Sequence, residues 1–206
     1  MNEIGPPALE ACIYIVRHGE TEWNRAKRVQ GWNDSALTEL GNQQARAVAG
    51  ILAREIADPA AAVFYCSPLG RARATAEIIA RELGLDSAQF RFDEALKELN
   101  TGQWDGLTFA EIKAAFPDDL NHFHEDSWRH RPTGGESYAM LAARIGVWLD
   151  ALDETGPVLV VSHGIAGQVL RGHYLGLGEA ETVSLDQPQD VVFELRGGQV
   201  TELTGY

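Results

Sequence analysis

The chain has 206 residues, with 17 basic against 30 acidic side chains, a formal charge of −13, and 45% hydrophobic content. Those values suit one globular domain with a full core. They argue against a surface built for nucleic acid or an anionic membrane, although a few clustered arginines would still suit an anionic small molecule.

The ends and the cysteines give further expectations. No basic leader followed by an apolar stretch opens the sequence, and no run of ~18 apolar residues occurs in it. Residues 1–10, with Pro6-Pro7, read as a loose N-terminal tail. Cys12 and Cys66 both fall in expected core strands, so they read as buried apolar fillers rather than a disulfide framework. A reduced, cytoplasmic setting follows.

The apolar run Cys12 to Val16 is cut off by Arg17-His18-Gly19, which predicts a central strand ending at a charged corner. Residues 23–36 are polar and irregular. A helix is expected with Thr38 as its N-cap, carrying Leu40, Val48, Leu52 and Ile56, and closed by Pro59. Val63-Phe64-Tyr65-Cys66 reads as a second buried strand stopped by Ser67-Pro68, with a helix then running to about Leu83 and Gly84 as its stop. A short edge strand is expected around residues 90–93.

Thr108-x-x-Glu111 is a capping-box pattern for a short helix closed by Pro117. Residues 118–135 have little apolar periodicity and read as a surface excursion. A long helix from Ser137 places Leu141, Ile145, Trp148, Leu149 and Leu152 on one face. Val158-Leu159-Val160-Val161 is the third strong strand, ending in Ser162-His163-Gly164, and a helix follows over residues 165–175. Residues 191–195 and 199–203, around Gly197-Gly198, read as a β-hairpin. The alternation predicts an α/β domain, a three-layer α/β/α sandwich with a mainly parallel sheet and an antiparallel edge.

Two strands thus end in the same way, Val-Arg-His-Gly at 16–19 and Val-Ser-His-Gly at 161–164. In open α/β sheets ligands sit beyond the carboxyl ends of strands, so parallel neighbours would bring both imidazoles to one corner. Arg71 falls in the first turn of a helix, where a cation opposes the dipole, and a bound anion would account for it. Glu98, read alone, is an ordinary loop carboxylate. His122-x-His124, with His130, suggests zinc, but no cysteine or second carboxylate element completes such a site at suitable spacing.

Arg17-His18-Gly19-Glu20-Thr21-x-x-Asn24, Ser67-x-Leu69-x-Arg71-Ala72-x-x-Thr75-Ala76, Leu96-x-Glu98-x-x-x-Gly102-x-Trp104-x-Gly106 and Ser162-His163-Gly164 occur in that order. Together they resemble the histidine phosphatase superfamily, the phosphoglycerate-mutase-like proteins. Gln30-Gly31-x-x-Asp34-x-x-Leu37-Thr38-x-x-Gly41 adds to the likeness, with Ala36 where that family usually has proline.

The resemblance implies a single domain over residues 1–206, with residues 94–136 as a lid or insertion over the site. It implies His18 as nucleophile, Arg17 and Arg71 as clamps on phosphoryl oxygens, His163 as a further hydrogen-bond donor and Glu98 as proton donor. Asn24, Thr38 and Gly164 would contact substrate. No metal or cofactor is implied. The expected reaction is metal-independent hydrolysis of a small phosphomonoester through a phosphohistidine.

The runner-up is a cofactor-dependent phosphoglycerate mutase. Such mutases carry Arg-x-Tyr after the glutamate, where this chain has Leu99-Asn100-Thr101, although Arg129-His130-Arg131 could supply lid cations in part. A catalytically dead binding module is disfavoured because every core group is present. The oligomeric state is left open, with a homodimer as one option.

Overall fold

The first and third strong apolar runs form adjacent parallel strands in the computed structural model, which describes residues 11–205. The expected N-terminal tail lies outside those residues. β1 (Ile13–Arg17) pairs with the later strand Val158–Ser162 in the register Val16 to Val161 and Arg17 to Ser162. Neither strand alternates polar and apolar residues, as befits strands covered on both faces.

After β1 come a one-turn helix, α1 (Glu22–Arg25), and the long helix α2 (Glu39–Glu55). Next are β2 (Val63–Cys66), α3 (Gly70–Glu82) and the two-residue edge strand β3 (Arg91–Phe92). Two short helices, α4 (Phe109–Ala115) and α5 (Pro117–Glu125), precede α6 (Tyr138–Asp150) and the partner strand β4 (Val158–Ser162). The chain ends with α7 (Gly164–Leu175), α8 (Glu179–Val183), β5 (Val191–Arg196) and β6 (Gln199–Thr204).

The sheet order is β3-β2-β4-β1-β5-β6. The first four strands run parallel to their neighbours, while β5 lies antiparallel to β1 and β6 antiparallel to β5. The antiparallel edge therefore has two strands. On one face Ile13, Ile15, Val158, Val160 and Phe193 pack against α6 and α7 through Leu141, Ile145, Val169 and Leu170. On the other, Tyr14, Val16, Phe64, Leu159 and Val161 meet α2 and α3 through Val48, Leu52, Ala76 and Ile79. A small separate cluster of Trp104, Ile112 and Leu120 holds α4 and α5 together.

Several expectations shift. The first strand begins one residue later than expected, so Cys12 is half-buried outside it, its thiol donating to Glu194 Oε1 at 3.3 Å. Pro117 separates α4 from α5 but opens the second helix at its first turn, where the missing N–H is harmless. The expected surface excursion over 118–135 therefore starts with a helix. Its apolar residues are too few to show a period in so short a segment. No helix among the described residues is long and apolar enough to cross a membrane.

The start of α2 is pressed directly on the chain leaving β1. A Cβ on Gly41 would lie 2.8 Å from Glu20 N, and one on Gly19 would lie 2.8 Å from the Gly41 carbonyl carbon. These are backbone atoms, which cannot rotate away. Gly50, in the middle of the same helix, has nothing within 4 Å of such a Cβ. Gly41→Ala should therefore destabilise the protein by about 1–3 kcal/mol through overpacking. Gly50→Ala should stabilise it by up to about 1 kcal/mol through helix propensity. Urea denaturation of both variants checks this contrast.

Candidate active site

The in-register pairing of β1 and β4 sets His18 and His163 side by side, with ring centroids 5.3 Å apart. The His18 N–H donates to the Ser162 carbonyl at 3.0 Å, continuing the ladder one residue past the strand. The His18 ring is fixed from its other end. Nδ1 lies 2.8 Å from the Gly19 carbonyl, which can only accept, so Nδ1 carries the proton and Nε2 presents a lone pair. Arg71 Nε donates to that Nε2 at 3.2 Å.

His163 is held through its Nε2 side. Its Nε2 is 2.6 Å from Ser67 Oγ, which already accepts from the Leu69 N–H at 3.3 Å. With the Ser67 hydroxyl donating to Nε2, His163 carries its ring proton on Nδ1, the same tautomer as His18. That Nδ1 and Arg17 Nε are both buried side-chain nitrogens with no hydrogen-bond partner among the described residues. Buried donors are almost always paired, so these two mark the corner as a place for an acceptor.

Arg71 occupies the first turn of α3 and is almost fully buried. Its guanidinium donates to the carbonyls of Gly31 (2.9 Å) and Asn33 (2.7 Å) and to Asp34 Oδ1 (3.0 Å). Asp34 also accepts from the Gly70 and Arg71 N–H groups at 2.7 and 3.2 Å. The sequence reading invoked a bound anion to explain a cation at this helix start. The chain also supplies a counter-charge of its own, since the Asp34 carboxylate both caps α3 and pairs with Arg71.

Arg17 closes β1 and donates to the Gln187 carbonyl. Gly164 makes room for it, because a Cβ there would come 3.3 Å from Arg17 Cζ and Nε. Gly164 borders a small neighbouring cavity with Arg17 and His163 rather than the main one.

Glu98 lies on the N-terminus of α7. Its Oε1 accepts from the Leu99 and Ala166 N–H groups at 2.9 and 3.0 Å, and Oε2 from the Ile165 N–H at 3.2 Å. Exposed N–H groups at a helix start are a natural seat for an anion, and here the seat holds a side chain of the protein.

Asn24 Oδ1 accepts from the Thr21 N–H at 3.2 Å, completing the capping box of α1, and from Gln189 Nε2 at 3.1 Å. Arg17, His18, Asn24, Arg71 and Glu98 share one cavity of about 510 Å³. Its outer walls include Trp104, Phe109, Phe123 and Tyr138, so most of that aromatic wall comes from residues 99–132. Thr38 does not line the cavity. Its hydroxyl caps α2 at the Gly41 N–H (3.1 Å) and donates to Glu20 Oε1 (2.7 Å). Of the histidines in residues 118–135, His130 stacks on Trp104 with centroids 6.1 Å apart and sits 3.0 Å from Asp119.

Sequence reasoning missed the roles of Asp34, Ser67, Gln187 and Gln189. Asp34 and Ser67 stood in quoted motifs without an assigned function. Gln189 Nε2 holds the His18 carbonyl at 3.1 Å, and nothing in the pattern of residues 176–190 signals it.

A mainly parallel α/β/α sandwich with two histidines at adjacent strand ends defines an enzyme of the phosphoglycerate-mutase-like class. The chain belongs to the histidine phosphatase superfamily (branch 1), whose sequence profile matches residues 13–202. A relative from Erwinia tasmaniensis named "Probable phosphoglycerate mutase GpmB" is 40% identical over 177 residues, covering 80% of this chain and 75% of its own. The solved mycobacterial glucosyl-3-phosphoglycerate phosphatase bound to VO3 is 30% identical, covers 95% of this chain and 98% of its own, and superposes with a TM-score of 0.75. An α-ribazole phosphatase from Shigella flexneri shares the fold at a TM-score of 0.81, with 20% identity and 95% and 96% of the two chains covered.

Burial, followed by the Arg71 charge, pushes both His18 and His163 well below the ordinary imidazole range. Both are neutral in the folded protein near pH 7. Below about pH 6.5 the unfolded chain takes up protons at these two rings that the folded chain refuses. Stability should therefore fall as pH drops through that value. His18→Gln should shrink the pH dependence by about one proton between pH 7 and pH 5, as read from denaturant midpoints across that range.

Proposed function

We propose that the protein hydrolyses a small phosphomonoester through a phosphohistidine at His18 Nε2, without a metal. The observation that carries this reading is the state of the His18 ring: neutral, with its proton tied to the Gly19 carbonyl and its lone pair presented beside Arg71. A neutral imidazole is a competent nucleophile near pH 7, whereas imidazolium is not.

In the first step the Nε2 lone pair forms a bond to phosphorus and the P–O bond to the alcohol breaks. Arg17 and Arg71 balance charge on the equatorial oxygens, and His163 Nδ1–H donates to one of them. Glu98, in its protonated form, gives its proton to the departing alkoxide. In the second step Glu98 takes a proton from water as that water attacks phosphorus. The P–N bond breaks, inorganic phosphate leaves, and the imidazole lone pair is restored. Asn24 contributes its amide NH2 to the same corner. Residues 94–136 act as the lid, and their aromatic side chains receive the alcohol.

The name of the Erwinia relative favours a second reading, a phosphoglycerate mutase. Against it stands the supply of cations, because a mutase must retain a doubly phosphorylated intermediate. The lid arginines that could have held one are engaged elsewhere. Arg129 pairs with Glu179 at 2.7 Å and with Asp126, and Arg131 donates to the Gly135 carbonyl at 2.6 Å. Neither borders the cavity. Arg28 and Lys27 do, but Arg28 is paired with Glu111 at 2.8 Å, which leaves Lys27 as a single further charge for a second phosphoryl group.

Phosphorus NMR with 3-phosphoglycerate, primed by 2,3-bisphosphoglycerate and with chelator present, separates the two readings. Inorganic phosphate alone is expected. 2-Phosphoglycerate appearing faster than phosphate would establish the mutase. His18→Ala should lower phosphate release by ~10³-fold or more with an unchanged far-UV circular dichroism spectrum. Retained activity would remove His18 as the nucleophile.

A further inference from the structure

The segment that carries Glu98 is held from behind by a charge pair outside the catalytic cavity. Arg144, on α6, donates through Nη1 to the Ala95 carbonyl at 2.6 Å and through Nη2 to the Glu98 carbonyl at 2.8 Å. The same guanidinium forms a two-pronged pair with Glu136, Nε to Oε1 and Nη2 to Oε2, both at 3.0 Å. Glu136 reaches the far side of the same segment, since its Oε2 accepts from the Asn100 N–H at 3.0 Å and its own N–H donates to the Asn100 carbonyl at 2.7 Å. Residues 95, 98 and 100 are thus gripped by one Arg–Glu unit.

Both charged side chains are largely covered, with side-chain exposures of 20% for Arg144 and 12% for Glu136. A partly desolvated, bidentate pair of this kind has a fixed geometry, and removing one member leaves the other uncompensated. Neither residue borders the catalytic cavity. Arg144 instead lines a shallow groove on the outside of the segment, beside Ala95 and Trp148. The Glu98 carbonyl is held a second time, by Trp32 Nε1 at 2.8 Å, and Ser162 Oγ holds the Leu96 carbonyl at 2.8 Å. The backbone on which Glu98 sits is therefore fixed more firmly than a loop requires.

We propose that Arg144 and Glu136 are positioning residues for the proton-transfer step, setting the Glu98 carboxyl against the leaving oxygen without touching substrate themselves. The proposal rests on the reading of Glu98 as proton donor. Its consequence is selective. A displaced proton donor penalises substrates whose alcohol is a poor leaving group and spares those whose aryl oxide departs unaided.

The test compares kcat/KM, which reports the steps through phosphoryl transfer to His18, for the wild type, Glu98→Gln, Arg144→Lys and Glu136→Gln. The substrates are alkyl and aryl phosphates of graded leaving-group pKa, from p-nitrophenyl phosphate to a simple alkyl phosphate. Glu98→Gln is expected to lose ~10²-fold or more on the alkyl substrate and less than ~10-fold on the nitrophenyl one. Arg144→Lys keeps the charge but loses the fork, and should show the same tilt at about a tenth of the size. Glu136→Gln should tilt likewise. Melting temperatures verify that each variant is folded, and Glu136→Gln carries the test if Arg144→Lys is not.

An equal loss on all substrates, or none, from the Arg144 and Glu136 variants while Glu98→Gln tilts would overturn the positioning role alone. A Glu98→Gln variant with no tilt would overturn the reading of Glu98 itself, and the proposal with it.

Discussion

One pairing governs the site, the parallel contact of β1 with β4. Strands adjacent in space but about 145 residues apart in sequence end at the same level, Arg17 opposite Ser162, so the next residue on each is a histidine and the next a glycine. A slip of one residue would turn either imidazole to the other face of the sheet. The register is protected because Ile13, Ile15, Val158 and Val160 face one helical layer while Tyr14, Val16, Leu159 and Val161 face the other. The ordinary hydrophobic core, by fixing that register, fixes the distance between the two rings.

Around that corner the charged groups are neutralised mostly by the fold itself. Arg71 has Asp34, and Glu98 has three backbone N–H groups, two of them from the first turn of α7. Burying an arginine or a carboxylate without such partners is strongly unfavourable. Arg17 is the exception among these charged groups, with one carbonyl partner and an unpaired Nε. The contrast leaves Arg17 with an unused donor, while Asp34 and the α7 N–H groups set the orientation of Arg71 and Glu98.

The three main strands, the helices packed on them and the hairpin were legible because their apolar runs and stop signals are strong. So were His18, Arg17, Arg71, Glu98 and Asn24 as members of one cavity, since each stands in a motif at an element boundary. What stayed hidden depends on contacts between segments distant in sequence. Asp34 looks like a turn residue until α3 is docked beside it, and Thr38 serves as the helix cap that its local pattern suggested, with no hydroxyl donor left for a ligand. Helix α5 was obscured because it buries only Leu120 fully, too little for a period. Gln187 and Gln189 act through one backbone carbonyl and one side-chain amide, and polar loop residues show no pattern in sequence.

Helix α7 begins where two functional groups meet it: His163 is its N-cap residue, and its first free N–H groups hold the Glu98 carboxylate. A thermal tilt of this helix therefore carries the hydrogen-bond donor and the carboxylate together, as passengers on one lever. His18 sits on a different support, the end of β1. Glu98 and His163 thus share one anchor at the start of α7, and the β1–β4 register ties that anchor in turn to His18.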